Sequence, residues 1–248
     1  MKKLLLAAVA LTALAAPASA APTLLGNFSS DAAYLTFLQG QGIDTNNAAS
    51  YEVAVAQARS GNNGVSGDYE AGLHTPPNFT SSPPIGTAGQ GTWGSANTAN
   101  PWRAWTLSRT GDALRFQMFN YDQTWTNALV GNIDQIGIRI RSDANTGNFG
   151  TNSTGMRNLE IDGFATPSID TMFAQNGAVQ ILLFGNISGD FVMTGETQLL
   201  WGGSFPQGSR LGFQLKLIDA PDQVPEPATL ALLGAGMLGV AALRRRKA

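Results

Sequence analysis

The chain has no cysteine and one histidine in 248 residues. The first absence excludes disulfide staples, thiol nucleophiles and cysteine-ligated metal centres, so hydrophobic burial and hydrogen bonding must hold any folded body together. The second excludes multi-histidine zinc sites and leaves a His-based catalytic triad only His74 to use. His74 stands in Gly72-Leu73-His74-Thr75-Pro76 and reads as a flexible-loop residue. Charge is also sparse, at 13% of the residues. Setting aside Lys2, Lys3, Arg244, Arg245, Arg246, Lys247 and Glu226 leaves nine cations against sixteen anions, formally −7, with Lys216 the only lysine. Such a surface lacks the basic footprint that nucleic acid requires; it favours solubility and divalent cations. No Gly-rich loop follows a strand and opens a helix, so nucleotide binding has no support.

What is present is concentrated at the two ends. Lys2-Lys3 precede an apolar run from Leu4 to Ala16, Pro17 breaks it, and Ala18-Ser19-Ala20 follows. A positive start, a short greasy stretch and a small-x-small site form a secretory signal peptide, which implies signal peptidase as a partner and cleavage after Ala20. At the other end, Val224-Pro225-Glu226-Pro227 precede an uncharged run from Ala228 to Leu243, and Arg244-Arg245-Arg246-Lys247 follow. A helix is expected, because lipid forces backbone polar groups to pair internally. Sixteen residues span roughly 24 Å against a hydrocarbon core of about 30 Å, so the helix is a short anchor. The four cations hold that end on the cytoplasmic side and leave everything before Pro225 outside. The two prolines keep Pro225-Glu226-Pro227 extended, the form a processing enzyme can grip.

These three parts in order resemble the PEP-CTERM sorting tail of Gram-negative bacteria, over residues 224–247. The resemblance implies recognition and removal by an exosortase, a membrane-embedded enzyme, after transient residence in the inner membrane. It further implies a destination at the cell surface or in the extracellular, polysaccharide-rich biofilm matrix.

The chain divides by composition into a signal peptide (1–20), a small helix and strand unit (21–60), a Gly/Pro/Ser/Asn-rich loop or linker (61–101), a β-unit (102–219), a linker with the motif (220–227), the membrane helix (228–243) and a basic tail (244–248). Ser30-Asp31 and Gly40 punctuate a helix over about 31–39, with Tyr34, Leu35 and Leu38 facing the core. Tyr51, Val53 and Val55 alternate with smaller or polar residues and favour a strand. Beyond Trp102, period-two runs recur at 105–107, 114–118, 136–140, 159–161, 191–200 and 211–218, with Arg109-Thr110-Gly111-Asp112 as a turn, while Val179–Phe184 is apolar on both faces. The fold class is therefore mainly β. We expect an antiparallel sandwich or jelly roll of seven or eight strands with one or two short helices, the second at about 169–175. The helix, the Tyr51-Glu52-Val53 strand and the later meander faintly resemble the choice-of-anchor β-domains, a resemblance that implies no activity.

Three chemistries have candidate residues. Trp93, Trp102 and Trp125 lie in or beside expected loops, where rings can stack on sugar faces; core packing is the commoner use. Asp143-Ala144-Asn145 opens like a calcium loop, with calcium as its cofactor, but Thr154 stands where the closing Glu should be; the alternative is a plain hairpin loop. Carboxylates that could hydrolyse glycosidic bonds are Glu52, Glu70, Asp122, Asp134, Glu196 and the pair Glu160 and Asp162, two apart on one strand face. The four Asn-x-Ser/Thr sites carry no function in so Asn- and Ser-rich a chain. The sequence favours a non-enzymatic, tail-sorted surface or matrix protein with a structural or adhesive role. The rival is a carbohydrate-binding module or weak glycoside hydrolase acting on matrix polysaccharide.

Overall fold

The computed structural model describes residues 21–61, 70–76, 84–143, 152–162, 164–165, 171–203, 206 and 211–220. Two antiparallel sheets stack face to face. The first is built from β1 (Thr23–Phe28), β2 (Glu52–Arg59), β3 (Ala71–His74), β7 (Gln135–Arg141), β11 (Val179–Gly185) and β13 (Gly212–Ile218), in the order β1-β11-β7-β13-β2-β3. The second runs β10-β8-β12-β4-β5-β6, from β4 (Arg103–Thr110), β5 (Ala113–Met118), β6 (Tyr121–Thr126), β8 (Ser153–Ile161), β10 (Thr171–Gln175) and β12 (Phe191–Leu200). The two-residue β9 (Phe164–Ala165) pairs with β8. One α-helix, α1 (Asp31–Gly40), and two 3-10 turns at Ala48–Ser50 and Ala128–Asn132 complete the described elements.

The two sheets differ in what covers them, and the sequence pattern reflects it. The first sheet is buried on both faces over β2, β7, β11 and β13, while its edge strand β1 stays largely exposed. Its inner face contributes Ile136, Ile138, Ile140, Leu182, Phe184 and Phe213 to the inter-sheet core. On its outer face Ile181 and Leu183 pack with Tyr34 and Leu38 of α1. That double burial explains the apolar run Ile181–Phe184 in β11 and the seven consecutive buried residues of β2. The second sheet turns its outer face to water, so β4 from Ala104 onward, β5 and β12 alternate between buried and less buried positions.

Helix α1 starts where Ser30 accepts a hydrogen bond from the Ala33 backbone N–H (3.2 Å), a side-chain N-cap. It docks through Tyr34, whose hydroxyl lies over Gly137: a β-carbon there would stand 3.0 Å from the oxygen. The Arg139 guanidinium grips Asp31 at 2.7 and 2.8 Å and holds that carboxyl below its ordinary value of 3.8. Leu35 is half-buried beside the buried Tyr34 and Leu38, as the helical spacing predicts.

Several expectations need correction. The stretch at 171–175 is strand β10, not a helix: it pairs residue for residue with Ser153–Arg157 of β8, and Met172 and Ala174 alternate into the core. Residues 21–60 and 102–219 share one body, since β1 pairs with β11 and β2 with β13. Within 61–101, Ala71–His74 forms an edge strand, and Trp93 is wholly buried. Tyr121 ties this segment to the opposite sheet by accepting from the Leu73 N–H (3.0 Å) and donating to the Ile85 carbonyl (2.7 Å). Burial pushes its phenol up to about 12. His74 belongs to β3 and is buried, not a flexible-loop residue. Arg109 lies inside β4 rather than in the turn that follows it.

Trp105 of β4 packs across the interface between the sheets. Its ring lies 5.5 Å from Phe213 of the facing sheet, and its indole N–H donates to Thr197 Oγ1 at 3.1 Å. The ring fits because its neighbour on β12 is Gly195, where a β-carbon would stand 2.4 Å from the indole. Gly195→Ala is therefore expected to destabilise the domain by about 1–3 kcal/mol through overpacking. Gly131→Ala, where a β-carbon meets nothing within 4 Å, serves as the control. Urea unfolding checks the difference, and equal midpoints for the two variants would contradict this account of the interface.

Candidate functional site

The residues that sequence reading singles out do not converge. Trp93 is sealed in the core, donating its indole N–H to the Arg59 carbonyl (2.9 Å) and meeting Phe119 edge-on at 5.0 Å. Its ring offers no face to a sugar, which corrects the rim placement expected for it. Trp102 is half-buried on the outer face of the second sheet, with the Arg157 guanidinium 4.2 Å above its ring and Gly155 against its edge. Trp125 pairs with the buried Leu114 and sits on the inner face at the β6 edge. Trp102 and Trp125 thus stand on opposite faces of one sheet.

Asp143 follows β7, while Asn145 lies outside the described residues, as do Ala18, Ala20, Pro225, Glu226, Pro227 and the basic cluster Arg244, Arg245, Arg246 and Lys247. Among the described residues no group of three or more acidic or histidine side chains could hold a metal ion.

Most of the candidate carboxylates already carry structural bonds. Glu52 is buried and pairs with Lys216. Glu70, also buried, accepts from the Gly91 N–H. Asp122 takes both arms of Arg115, and Glu196 accepts from Arg157 and Asn158. Glu160 and Asp162 do not share a strand face: β8 ends at Ile161, and Asp162 turns into the left-handed region (φ 55) to cap the Val192 N–H at 2.7 Å.

One cleft stands out at the end of the sandwich where β13 finishes. Its volume is about 830 Å³. The 3-10 turn and the start of β7 supply Asn132, Asp134 and Gln135; the loop after β11 supplies Asn186 and Ser188; Asp219 and Ala220 close it, with Gln41 and Leu25 opposite. Asp134 accepts from the Ala220 N–H (3.0 Å), and Asp219 accepts from the Asn132 amide (3.3 Å). Gln135, 5% exposed, donates to Gln41 Oε1 at 3.3 Å, and its own Oε1 accepts no hydrogen bond. Of these side chains the sequence singles out Asp134 as a carboxylate and Asn186 and Ser188 as one of the Asn-x-Ser/Thr sites without function; Gln41, Asn132, Gln135 and Asp219 carry no motif.

The walls of this cleft are fixed by Arg109, buried at the end of β4. Its guanidinium donates to the carbonyls of Val130 (3.2 Å), Ile133 (2.6 Å), Ile187 (3.2 Å) and Gly189. It also lies 5.2 Å from the Phe191 ring centroid. One side chain thus satisfies four acceptors on two loops that both line the cleft and that are joined directly by the Ile187 N–H bond to the Asp134 carbonyl (3.0 Å). Burial lowers its pKa, while Asp190, Asp162 and Asp134 pull the other way.

Residues 223–247 match the PEP-CTERM protein-sorting motif. No curated protein and no solved structure matches the chain. The motif marks an exported protein sorted by its tail in association with the membrane and processed by an exosortase-like enzyme. Among the described residues no helix is long and apolar enough to cross a membrane, and the segment 228–243 lies outside them.

Replacing Arg109 by Met leaves buried carbonyls without donors and should cost about 3 kcal/mol of stability, whereas Lys, with a point charge in place of the fork, should recover part of it. Urea unfolding measures both; a loss for Met under about 0.5 kcal/mol, the range of ordinary surface changes, would show that the two loops do not depend on this residue.

Proposed function

We propose that the protein is a non-catalytic surface domain, exported through its signal peptide, held in the inner membrane by residues 228–243, and released by cleavage near Pro225-Glu226-Pro227 into the cell envelope or extracellular matrix of a Gram-negative bacterium. There it serves a structural or adhesive role. The observation that carries this reading is the tail itself: residues 223–247 match the sorting motif, and the chain opens with Lys2-Lys3, an apolar run and Ala18-Ser19-Ala20.

Features of the body support a structural role over hydrolysis. The buried Glu52 and Glu70, the half-buried Glu196 and the exposed Asp122 are each engaged in an ion pair or a hydrogen bond within the sandwich. The three candidate stacking tryptophans are dispersed over core, outer face and inner edge, so no common platform supports a polysaccharide-cleaving groove. A body without disulfides, whose stability rests on burial and internal hydrogen bonds, suits a component that is laid down and kept.

Fractionation with mass spectrometry of the C-terminus tests the reading. The wild-type chain is expected outside the cell, ending near Val224. A chain with Pro225-Glu226-Pro227 changed to alanine is expected in the membrane fraction with its tail intact. A secreted wild-type chain that keeps Arg244-Arg245-Arg246-Lys247 would refute the processing step.

A further inference from the structure

We propose that the cleft at the end of the sandwich is a saccharide site that takes an uncharged, polyhydroxylated sugar unit. A site of about 830 Å³ falls within the roughly 300–1,000 Å³ of small-molecule clefts. Its lining combines amides, which give and accept hydrogen bonds, with carboxylates, which accept them. Gln41, Asn132, Gln135 and Asn186 supply amides, Asp134 and Asp219 supply carboxylates, and Leu25 adds an apolar wall. A sugar hydroxyl is the complementary group, being one donor and two acceptor lone pairs on a single atom.

The decisive feature is Gln135. A buried acceptor without a donor costs about 1–3 kcal/mol, and the fold tolerates one here, at the wall of its cleft. The last torsion of a glutamine is soft, so the amide can turn its oxygen towards a hydroxyl that enters. Gln41 follows, because it holds the other end of the Gln135 amide. The walls are preorganised: the Arg109 staple fixes the Val130–Ile133 and Ile187–Gly189 backbones before any ligand arrives.

Two other ligand chemistries fit less well. A bare calcium ion needs oxygens converging at about 2.3–2.6 Å. Here one oxygen of Asp219 is taken by an amide donor and one of Asp134 by a backbone N–H, and the volume far exceeds an ion. An acidic sugar meets two carboxylates and no cationic side chain among the residues lining the cleft.

Isothermal titration of the full chain, in a zwitterionic sugar-free detergent, tests the assignment. The probes are cellotetraose, mannotetraose, β-galactotetraose, tetragalacturonate and calcium chloride. At least one neutral tetrasaccharide is expected to bind, with tetragalacturonate at least tenfold weaker. Gln135→Leu should weaken the neutral sugar about tenfold, the loss of one hydrogen bond, without lowering the unfolding midpoint. The unchanged midpoint separates a lost contact from a damaged fold. Absence of binding by every neutral probe at millimolar concentration would overturn the proposal. So would undiminished binding by Gln135→Leu, or heat from calcium alone that Asp219→Asn abolishes. The inference stands apart from the sorting of the tail: a chain with Pro225-Glu226-Pro227 replaced by alanine is expected to bind the same sugar, so a failure of either leaves the other to be judged separately.

Discussion

Everything in this molecule depends on one sheet being buried on both of its faces. Helix α1 covers the outer side of β7, β11 and β13, and the second sheet covers the inner side. With no cysteine to cross-link the layers, this double burial must supply the cohesion. The largest rings lie where it matters: Trp105 against Phe213 between the sheets, and Tyr34 against Gly137 beneath the helix. Both contacts use a glycine on a neighbouring strand to admit a ring. The ends of the sandwich cannot be closed by apolar side chains alone, because loops carry backbone carbonyls that require donors. At one end that requirement is met by Arg109, and at the open side between β3 and β6 by Tyr121. That buried cation ties together two of the loops that line the cleft.

Much of this fold was legible in the residues. Ile136, Ile138 and Ile140 read as a half-buried strand and form one; Val179–Phe184 read as a central strand and lies second from the edge with both faces covered. The helix cap at Ser30 was legible because capping is local chemistry. Three features escaped for physical reasons. Thr171–Gln175 is short enough that its apolar pair fits either period, and only pairing with β8 decides it. Ser153-Thr154-Gly155 looks like loop sequence, yet it is strand because Trp102 and Phe173 lie over Gly155 and cover what a side chain would otherwise fill. Ala71–His74 gave no signal, being a four-residue edge strand within a Gly- and Pro-rich stretch. The cleft was less legible still. Gln41, Gln135, Asn186 and Asp219 are far apart in the chain and meet only because β1, β7, β11 and β13 lie near one another in the first sheet.

Address and body are written in different chemistry. The address is a short uncharged run between two prolines and four cations, read by lipid and by a processing enzyme. The body is an acidic, disulfide-free sandwich whose last described residue, Ala220, lines the cleft three positions before the matched motif begins.

The claim that the tail is no part of the fold is tested most directly by comparing the urea unfolding midpoint of the full chain with that of a chain ending at Val224. Two coincident midpoints and slopes are predicted, because the core is assembled from α1 and the two sheets within residues 28–220. A clear drop in midpoint for the shorter chain would mean that the closing segment is packed within the body, and it would contradict the account.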